Sequence, residues 1–436
     1  MATKLDSTGV FQGSVMGMGF KDFATSDAGR LAFFRSRKVR RVNIWIDDIE
    51  PQSKRMPKSE RIRFQTQVAT QLTAAKRSTF TGDIALKLQL ATTSRNAPQA
   101  HTIAKNFLDL LDECDEAVKW PRRDLLYKDD RQIQALSVSC RHGVSDPEIF
   151  LEARPFAAML DDLELANNAI QRLTMESHAG YEQERESEWI DSFRSILRDE
   201  TKIRAKLGDG YYEAYLKMTR FYAQRALLSR GSVTLPILSW MYGRPESASL
   251  SFGKEMWAKL LTESPLRLQV GSLPVASGDS TAFKESVRVE IAAFKARWDK
   301  LINPLVVPVG LEVVVRPSPK TPSGVLHDLD NIVRDYLIPG IVPSFGTVTD
   351  YRWTIDHEQL KKLDSKLAES WGPMPPPGTK AGVTRYEVWR LPAVDGEPGF
   401  VSVALVADVD ATGDLMGVAD RKIDEWSATL PRKKRW

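Results

Sequence analysis

The sequence is poor in the residues that build disulfide frameworks and zinc sites. It has only two cysteines, Cys114 and Cys140, and five histidines among 436 residues. The two cysteines give no disulfide framework and no C-x-x-C pair, and no histidine has zinc-ligand spacing with them. These absences exclude a disulfide-rich secreted domain and a zinc module. A reducing cytoplasm is the expected location.

Long hydrophobic runs are also missing. Prolines or charged residues interrupt the apolar stretches well short of the ~20 residues that a membrane span needs. The N-terminal residues do not contain the apolar segment of a secretory signal. We therefore expect no membrane partner, and the length predicts two or three domains.

The net charge is only +4, so the placement of charge matters more than its total. Basic residues form two clusters in the N-terminal part and a run at 431–436. Such clusters suit contacts with DNA phosphates, although basic runs are also typical of solvated surfaces and disordered ends. The residues that we predict to bind DNA are Arg37, Lys38, Arg40, Arg41, Lys54, Arg55 and Lys58.

The hydrophobic pattern contains the same unit twice. Residues 40–155 and 263–410 each follow the order β-α-β-α-β-β, with short strands and amphipathic helices. Residues 156–262 have long helical periodicity, which predicts an all-helical insert. We assign no fold to residues 1–39 and predict a closing helix with a basic tail in 411–436. The predicted class is α/β (α+β), with two such units and their mixed sheets separated by the insert.

The most informative stretch is residues 311–338. A short strand rich in β-branched residues leads into a proline-rich loop. Asp328-Leu329-Asp330-Asn331 then opens an apolar-periodic helix that we expect to end at Pro339. Two carboxylates at the first turn of a helix suit Mg²⁺, which prefers oxygen ligands. The alternative is that they only cap the helix, because Asp and Asn are preferred N-cap residues.

The repeated unit and this motif resemble the RusA-like Holliday junction resolvases, which are Mg²⁺-dependent endonucleases. Members are homodimers of a β-α-β-α-β-β unit. Their motif is D-x-D-N-x-x-K at the start of the second helix, followed by D-D-x-Q-[IV] before the next strand. The resemblance implies an acidic site built from both aspartates of the first motif and the second aspartate of the D-D pair, with the lysine close by. It covers residues 40–155 and 265–408.

The C-terminal half of this chain carries the first part of the motif. Asp328 and Asp330 stand at the aspartate positions, and Arg334 stands where the lysine is expected. The D-D element is missing before the next strand. Arginine keeps the positive charge of lysine but presents it in a different geometry.

The N-terminal half has the opposite pattern. Asp130 lies in the sequence Asp-Asp-Arg-Gln-Ile, which matches the D-D element, and Lys105 occupies the lysine position. Gln99 and His101 stand where the two aspartates belong. Because these side chains replace carboxylates poorly as Mg²⁺ ligands, the resemblance implies one site at most.

The divided motif leaves two functions open. In the first, the halves form an intramolecular pseudo-dimer, and Asp130 meets Asp328 and Asp330 in one composite site for Mg²⁺ or Mn²⁺. Lys105 or Arg334 then neutralises the phosphate, and the protein is a structure-selective endonuclease for branched or duplex DNA.

In the second, the site has decayed and the chain is a DNA-binding or assembly protein. The insert then supplies a surface for a protein partner or for a second copy of the chain. A third interpretation also stays open, in which the chain is unrelated to the nucleases and D-L-D-N only caps a helix.

Overall fold

Eight strands of the chain form one mixed sheet in the order β1-β4-β2-β3-β7-β6-β8-β5. This computed structural model describes residues 19–94, 98–174, 180–244, 250–262, 266–274, 280–322, 327–344, 358, 361–362, 364–371, 383–407 and 414–430. The strands are β1 Val42–Asp47, β2 Ile84–Thr92, β3 Ile133–His142, β4 Glu148–Pro155, β5 Arg267–Gly271, β6 Val309–Arg316, β7 Val383–Arg390 and β8 Phe400–Ala407. The mixed α/β class agrees with the prediction, whereas one continuous sheet takes the place of separate ones.

Helices cover both faces of this sheet. Those before β5 are α1 Phe20–Thr25, α2 Asp27–Val39, α3 Lys58–Ala74, α4 Ala100–Asp112, α5 Phe156–Thr174, α6 Gly180–Arg198, α7 Glu200–Leu207, α8 Asp209–Ser229, α9 Leu235–Met241 and α10 Leu250–Thr262. Those after β5 are α11 Ser280–Ile302, α12 Leu329–Asn331, α13 Ile338–Ile341, α14 Ser365–Trp371 and α15 Leu415–Thr429. None of the helices in the described residues is long and apolar enough to span a lipid bilayer.

The sheet has an approximate two-fold relation between its halves. In each half, one pair of neighbours is parallel, β2 with β3 and β6 with β7, and the other pairs are antiparallel. The halves join where β3 pairs antiparallel with β7, with Ala135 opposite Trp389 and Ser139 opposite Arg385. The start of β3 therefore lies beside the end of β7.

Alternate side chains along each strand point to opposite faces of the sheet, and each face packs in a separate hydrophobic core. Leu136 and Val138 of β3 point to the core shared with α3, α4, α6, α8 and α11. Ala135 of β3 and Trp389 of β7 point to the core shared with α2, α5, α9 and α15. Burial of both faces explains the nearly continuous apolar character of β6 and β8.

The helix that opens at Asp328 does not end at Pro339, contrary to the sequence prediction. After α12, the chain continues through a π-helical segment, Ile332–Leu337, into α13 and a 3₁₀ turn, Val342–Ser344. Pro339 lies in the first turn of α13, where proline is tolerated.

Residues 1–39, for which no fold was predicted, include helices α1 and α2. Leu31 and Phe34 on α2 are buried in the second core. The few apolar residues of this glycine-containing region are thus enough to anchor a helix. The basic tail at 431–436 lies outside the described residues.

Two residues predicted to bind DNA instead form a buried ion network. Arg41 is 6% exposed, and its guanidinium lies 2.9 Å from the carboxylate of Asp162 and 2.5 Å from that of Asp420. Arg37 pairs with the same Asp162 at 2.7 Å, and Arg154 does so at 2.9 Å. A buried arginine that is paired with carboxylates cannot reach a phosphate, so the prediction that Arg41 binds DNA is wrong. The guanidinium of Arg37 is also paired with a carboxylate, that of Asp162. The network joins α2, β4, α5 and α15.

Removal of the shared carboxylate should destabilise the fold strongly. Asp162→Ala leaves buried guanidinium groups without their partner, so we expect the free energy of unfolding to fall by about 3–5 kcal/mol. Asp161→Ala is the matched control, because that neighbouring carboxylate is half exposed and lies 3.5 Å from Arg244. Its loss should cost less than about 1 kcal/mol. Urea unfolding of both variants measures the difference, and equal losses would contradict a structural role for the network.

Candidate metal centre

Three carboxylates from the two halves of the chain meet at one edge of the sheet. Ligand oxygens of Asp130, Asp328 and Asp330 all lie within 4.8 Å of one another. They form the one group of this kind in the described part of the chain. The alternative prediction for this motif was that its side chains only cap the helix. Asp328 is the N-cap residue of α12, but its side chain makes no capping hydrogen bond.

Strand directions explain this meeting. Asp130 opens a 3₁₀ turn that leads directly into β3. Because β6 is parallel to β7, its end reaches the same edge as the end of β7, with Val315 opposite Arg390. The chain that leaves β6 therefore returns at α12 beside the start of β3, and α12 contacts both β3 and β7.

A lysine pairs with two of the three carboxylates. Lys105 Nζ lies 3.2 Å from Asp130 Oδ2, 3.4 Å from Asp330 Oδ2 and 3.0 Å from Asp109 Oδ1. Burial alone lowers the pKa of Lys105, but the surrounding carboxylates more than offset this and raise it. Lys105 therefore stays protonated and serves as an internal counter-ion. Lys54 Nζ approaches the other oxygen of Asp109 at 2.8 Å.

Arg334 stands at the margin of the centre. Its Nη1 is 3.9 Å from Asp330 Oδ2, while its other nitrogens pair with Asp335 and donate to Asn331 Oδ1 at 2.7 Å. Asn331 in turn donates to Asp328 Oδ2 at 2.8 Å. Arg334 thus orients the first-turn residues more than it neutralises them.

Burial controls the acidity of the centre. Desolvation raises the pKa of Asp330, whose side chain is 3% exposed, to about 6, with Lys105 opposing the shift and Asp130 and Asp328 adding to it. Desolvation and the charge of Asp130 also raise the pKa of Asp328. Asp112 nearby has its pKa raised to about 6 by burial and then by Asp130 and Asp124. Such shifts are typical of functional sites, although structural ion pairs also produce them.

The donor set fits a divalent cation. Asp330 Oδ2 and Asp130 Oδ1 are buried and accept no hydrogen bond from the described residues. Unsatisfied buried carboxylate oxygens are costly, and a hard cation such as Mg²⁺ would satisfy them. Oxygens that share one such ion lie about 3–4 Å apart, so the observed spacing needs only small rotations of the side chains.

Arg390 joins the two segments that carry the aspartates and was not among the residues predicted from the sequence. This 5% exposed residue at the end of β7 donates to the carbonyl oxygen of Arg131 at 3.1 Å and to that of His327. These carbonyls are adjacent in sequence to Asp130 and Asp328. The available signal was an arginine between the apolar residues Trp389 and Leu391, because a buried arginine must find acceptors.

Gln99 and His101 are not part of the centre. Gln99 precedes α4 and His101 lies in its first turn, four residues before Lys105. Burial and, to a smaller extent, the charge of Arg334 lower the pKa of His101 to about 4, while the charge of Asp335 opposes the shift. His101 is therefore neutral at physiological pH.

Comparisons with known proteins add no relative. No family model, no curated protein and no solved structure matches the chain. The resemblance to the RusA-like resolvases therefore depends on the motif residues and their arrangement alone.

Asp330→Asn should stabilise the protein at pH 7 without metal. The folded pKa of Asp330, about 6, lies above its ordinary value of 3.8. Its contribution to stability is thus present below pH ~4 and is lost as the pH rises through 6. Asparagine resembles the protonated carboxyl and avoids this loss. Thermal melts from pH 4 to 7.5 should show a smaller decrease for the variant than for the wild type.

Binding of a divalent metal ion should stabilise the wild type at the pH where ionised Asp330 destabilises it. Mn²⁺ or Mg²⁺ should raise the Tm of the wild type at pH 7.5, much less at pH 5, and not that of Asp330→Asn. Asp335→Asn is the control, because its carboxylate is 45% exposed and paired with Arg334, and it should keep the metal response. A Tm rise that survives in Asp330→Asn would show that the ion binds elsewhere.

Proposed function

We propose that this chain is a Mg²⁺-dependent endonuclease selective for branched DNA, with one composite centre shared by its two halves. The observation that carries the proposal is the meeting of Asp130 with Asp328 and Asp330, which are about 200 residues apart in the sequence. The two parts of the divided motif thus complement each other in space. Three converging carboxylates suit phosphodiester hydrolysis by metal ions, and two of them have a buried oxygen that accepts no hydrogen bond from the described residues.

The residues have separate tasks in this proposal. Asp130, Asp328 and Asp330 would hold the ion, which would activate a water and stabilise the leaving oxygen. Lys105 is displaced from the carboxylates and its ammonium neutralises the scissile phosphate. Arg390 keeps the carboxylates in place by tying together the backbone on both sides of the centre. Arg334 stays with Asp335 and Asn331.

Exposed basic residues on the same face supply a path for the DNA backbone. Lys54 and Arg55 lie in the segment before α3, and Lys58 opens α3, whose apolar residues belong to the same core as α4. Lys54 also contacts Asp109 beside the centre. Lys38 and Arg40 belong to the end of α2 and its cap, and α2 packs on the opposite face of the sheet.

The alternative is a protein that binds branched DNA without cutting it. The observation in its favour is the position of Lys105, whose ammonium already lies within 3.4 Å of Asp130 and Asp330. A fixed internal cation would take the place of a metal ion. The two functions differ in their response to metal and in their products.

Cleavage of a labelled four-way junction in Mg²⁺ tests the proposal. Asp130→Asn and Asp330→Asn should each reduce the rate about a hundredfold or more, which corresponds to ~3 kcal/mol of lost transition-state stabilisation. Asp129→Asn is the matched control, because Asp129 pairs with Arg131 and Asn also serves as an N-cap residue. Loss in Asp330→Asn alone would confine the chemistry to the C-terminal half. Tight binding by the wild type with no product would select the non-cutting alternative.

The salt dependence of junction binding tests the DNA path. Arg55→Ala combined with Lys58→Ala should reduce the slope of log Kd against log salt by about 2, since each lost phosphate contact removes about 0.9. Lys38→Ala combined with Arg40→Ala makes the same change in charge on the opposite face and should leave the slope nearly unchanged. Equal effects of the two pairs would mean that only total charge matters.

A further inference from the structure

The two-fold relation of the sheet creates two equivalent positions for a carboxylate centre. Asp328 and Gln99 are the N-cap residues of α12 and α4, the helices that follow the second strand of each half. Asp330 and His101 are the second residues of those helices. The first position is at the edge where β3 begins, and the second is at the opposite edge, where β3 ends beside the start of β7.

Contacts between the two halves also follow the approximate two-fold symmetry of the sheet. Lys105, in the middle of α4, reaches Asp330 of the other half at 3.4 Å. Arg334 is its counterpart in the sequence, and its charge acts on His101 of the opposite half. The two helical segments are in contact and carry equivalent pairs at the two positions. One pair contains a carboxylate and the other contains an imidazole.

The second position lacks the chemistry of the first. Gln99 has a neutral amide, His101 has an imidazole, and the guanidinium of Arg334 replaces the lysine. Within the described residues, no second group of carboxylates, histidines or cysteines is arranged to hold a metal ion. Proteins usually bind Mg²⁺ through one or two carboxylates together with waters and phosphate oxygens. The carboxylate of Asp335 acts on His101, but it is paired with Arg334, so the residues described at the second position are poorly suited to Mg²⁺.

We propose that one bound chain cuts only one DNA strand, so that the protein is a nicking enzyme. This inference rests on the proposed function. One water adds to one backbone phosphorus and one P–O bond breaks, which leaves a phosphate on one side of the nick and a hydroxyl on the other. A pair of cuts in two strands requires a second chain. The second position, which lacks the carboxylate centre, binds the other side of the DNA without cutting it.

A supercoiled plasmid that extrudes a cruciform distinguishes one cut from two. The torsion of the closed circle maintains the cruciform, and the first nick releases that torsion, so the junction is reabsorbed before a second encounter. A centre that cuts one strand therefore gives nicked circle, and two coordinated centres give linear DNA. The assay uses the full chain with Mg²⁺ at fewer than one chain per plasmid.

We expect nicked circle as the product, with its formation abolished in Asp330→Asn and changed by less than about twofold in His101→Gln. Linear DNA formed at this ratio would overturn the inference while it supports the endonuclease. Nicking that persists in Asp330→Asn at about half the wild-type rate would also overturn it, because a second centre would then be active. A wild type that binds the plasmid and leaves it supercoiled would refute the proposed function and the inference together.

Discussion

The antiparallel pairing of β3 with β7 determines how the two halves of the chain meet. It joins two four-stranded groups into one sheet and places the start of β3 next to the end of β7. Since β6 runs parallel to β7, the chain that leaves β6 arrives at the same edge. This geometry brings Asp130 close to Asp328 and Asp330 at the start of α12. A slip of one residue in this pairing would turn the central side chains to the wrong face and separate the carboxylates.

The acidic centre is held together at a cost to stability. Three carboxylates lie close to one another, and two of their buried oxygens accept no hydrogen bond from the described residues. Lys105 offsets part of the repulsion, and Arg390 fixes the backbone on both sides. Such a group of carboxylates is unfavourable for folding, although buried arginine and lysine hold it in place. Groups of this kind are expected where a ligand relieves the repulsion.

Much of this arrangement could be predicted from the sequence, and the limits have physical causes. Local periodicity predicted the strands and the helix at Asp328, since burial on two faces leaves a clear apolar pattern. The pairing of β3 with β7 is a long-range contact with no local signal. The burial of Arg41 also depends on Asp162 and Asp420, which come from distant segments. Charge clusters in a sequence therefore do not separate phosphate ligands from structural ion pairs.

The division of the motif is consistent with covalent linkage of the two halves. In a homodimer, a residue on one side of the axis is also present on the other, so both sites gain or lose it together. In a tandem chain, Gln99 and Asp328 can differ because they are separate positions. The proposed centre accordingly takes different residues from the two halves. Asp130 and Lys105 come from the N-terminal half, and Asp328 and Asp330 come from the C-terminal half.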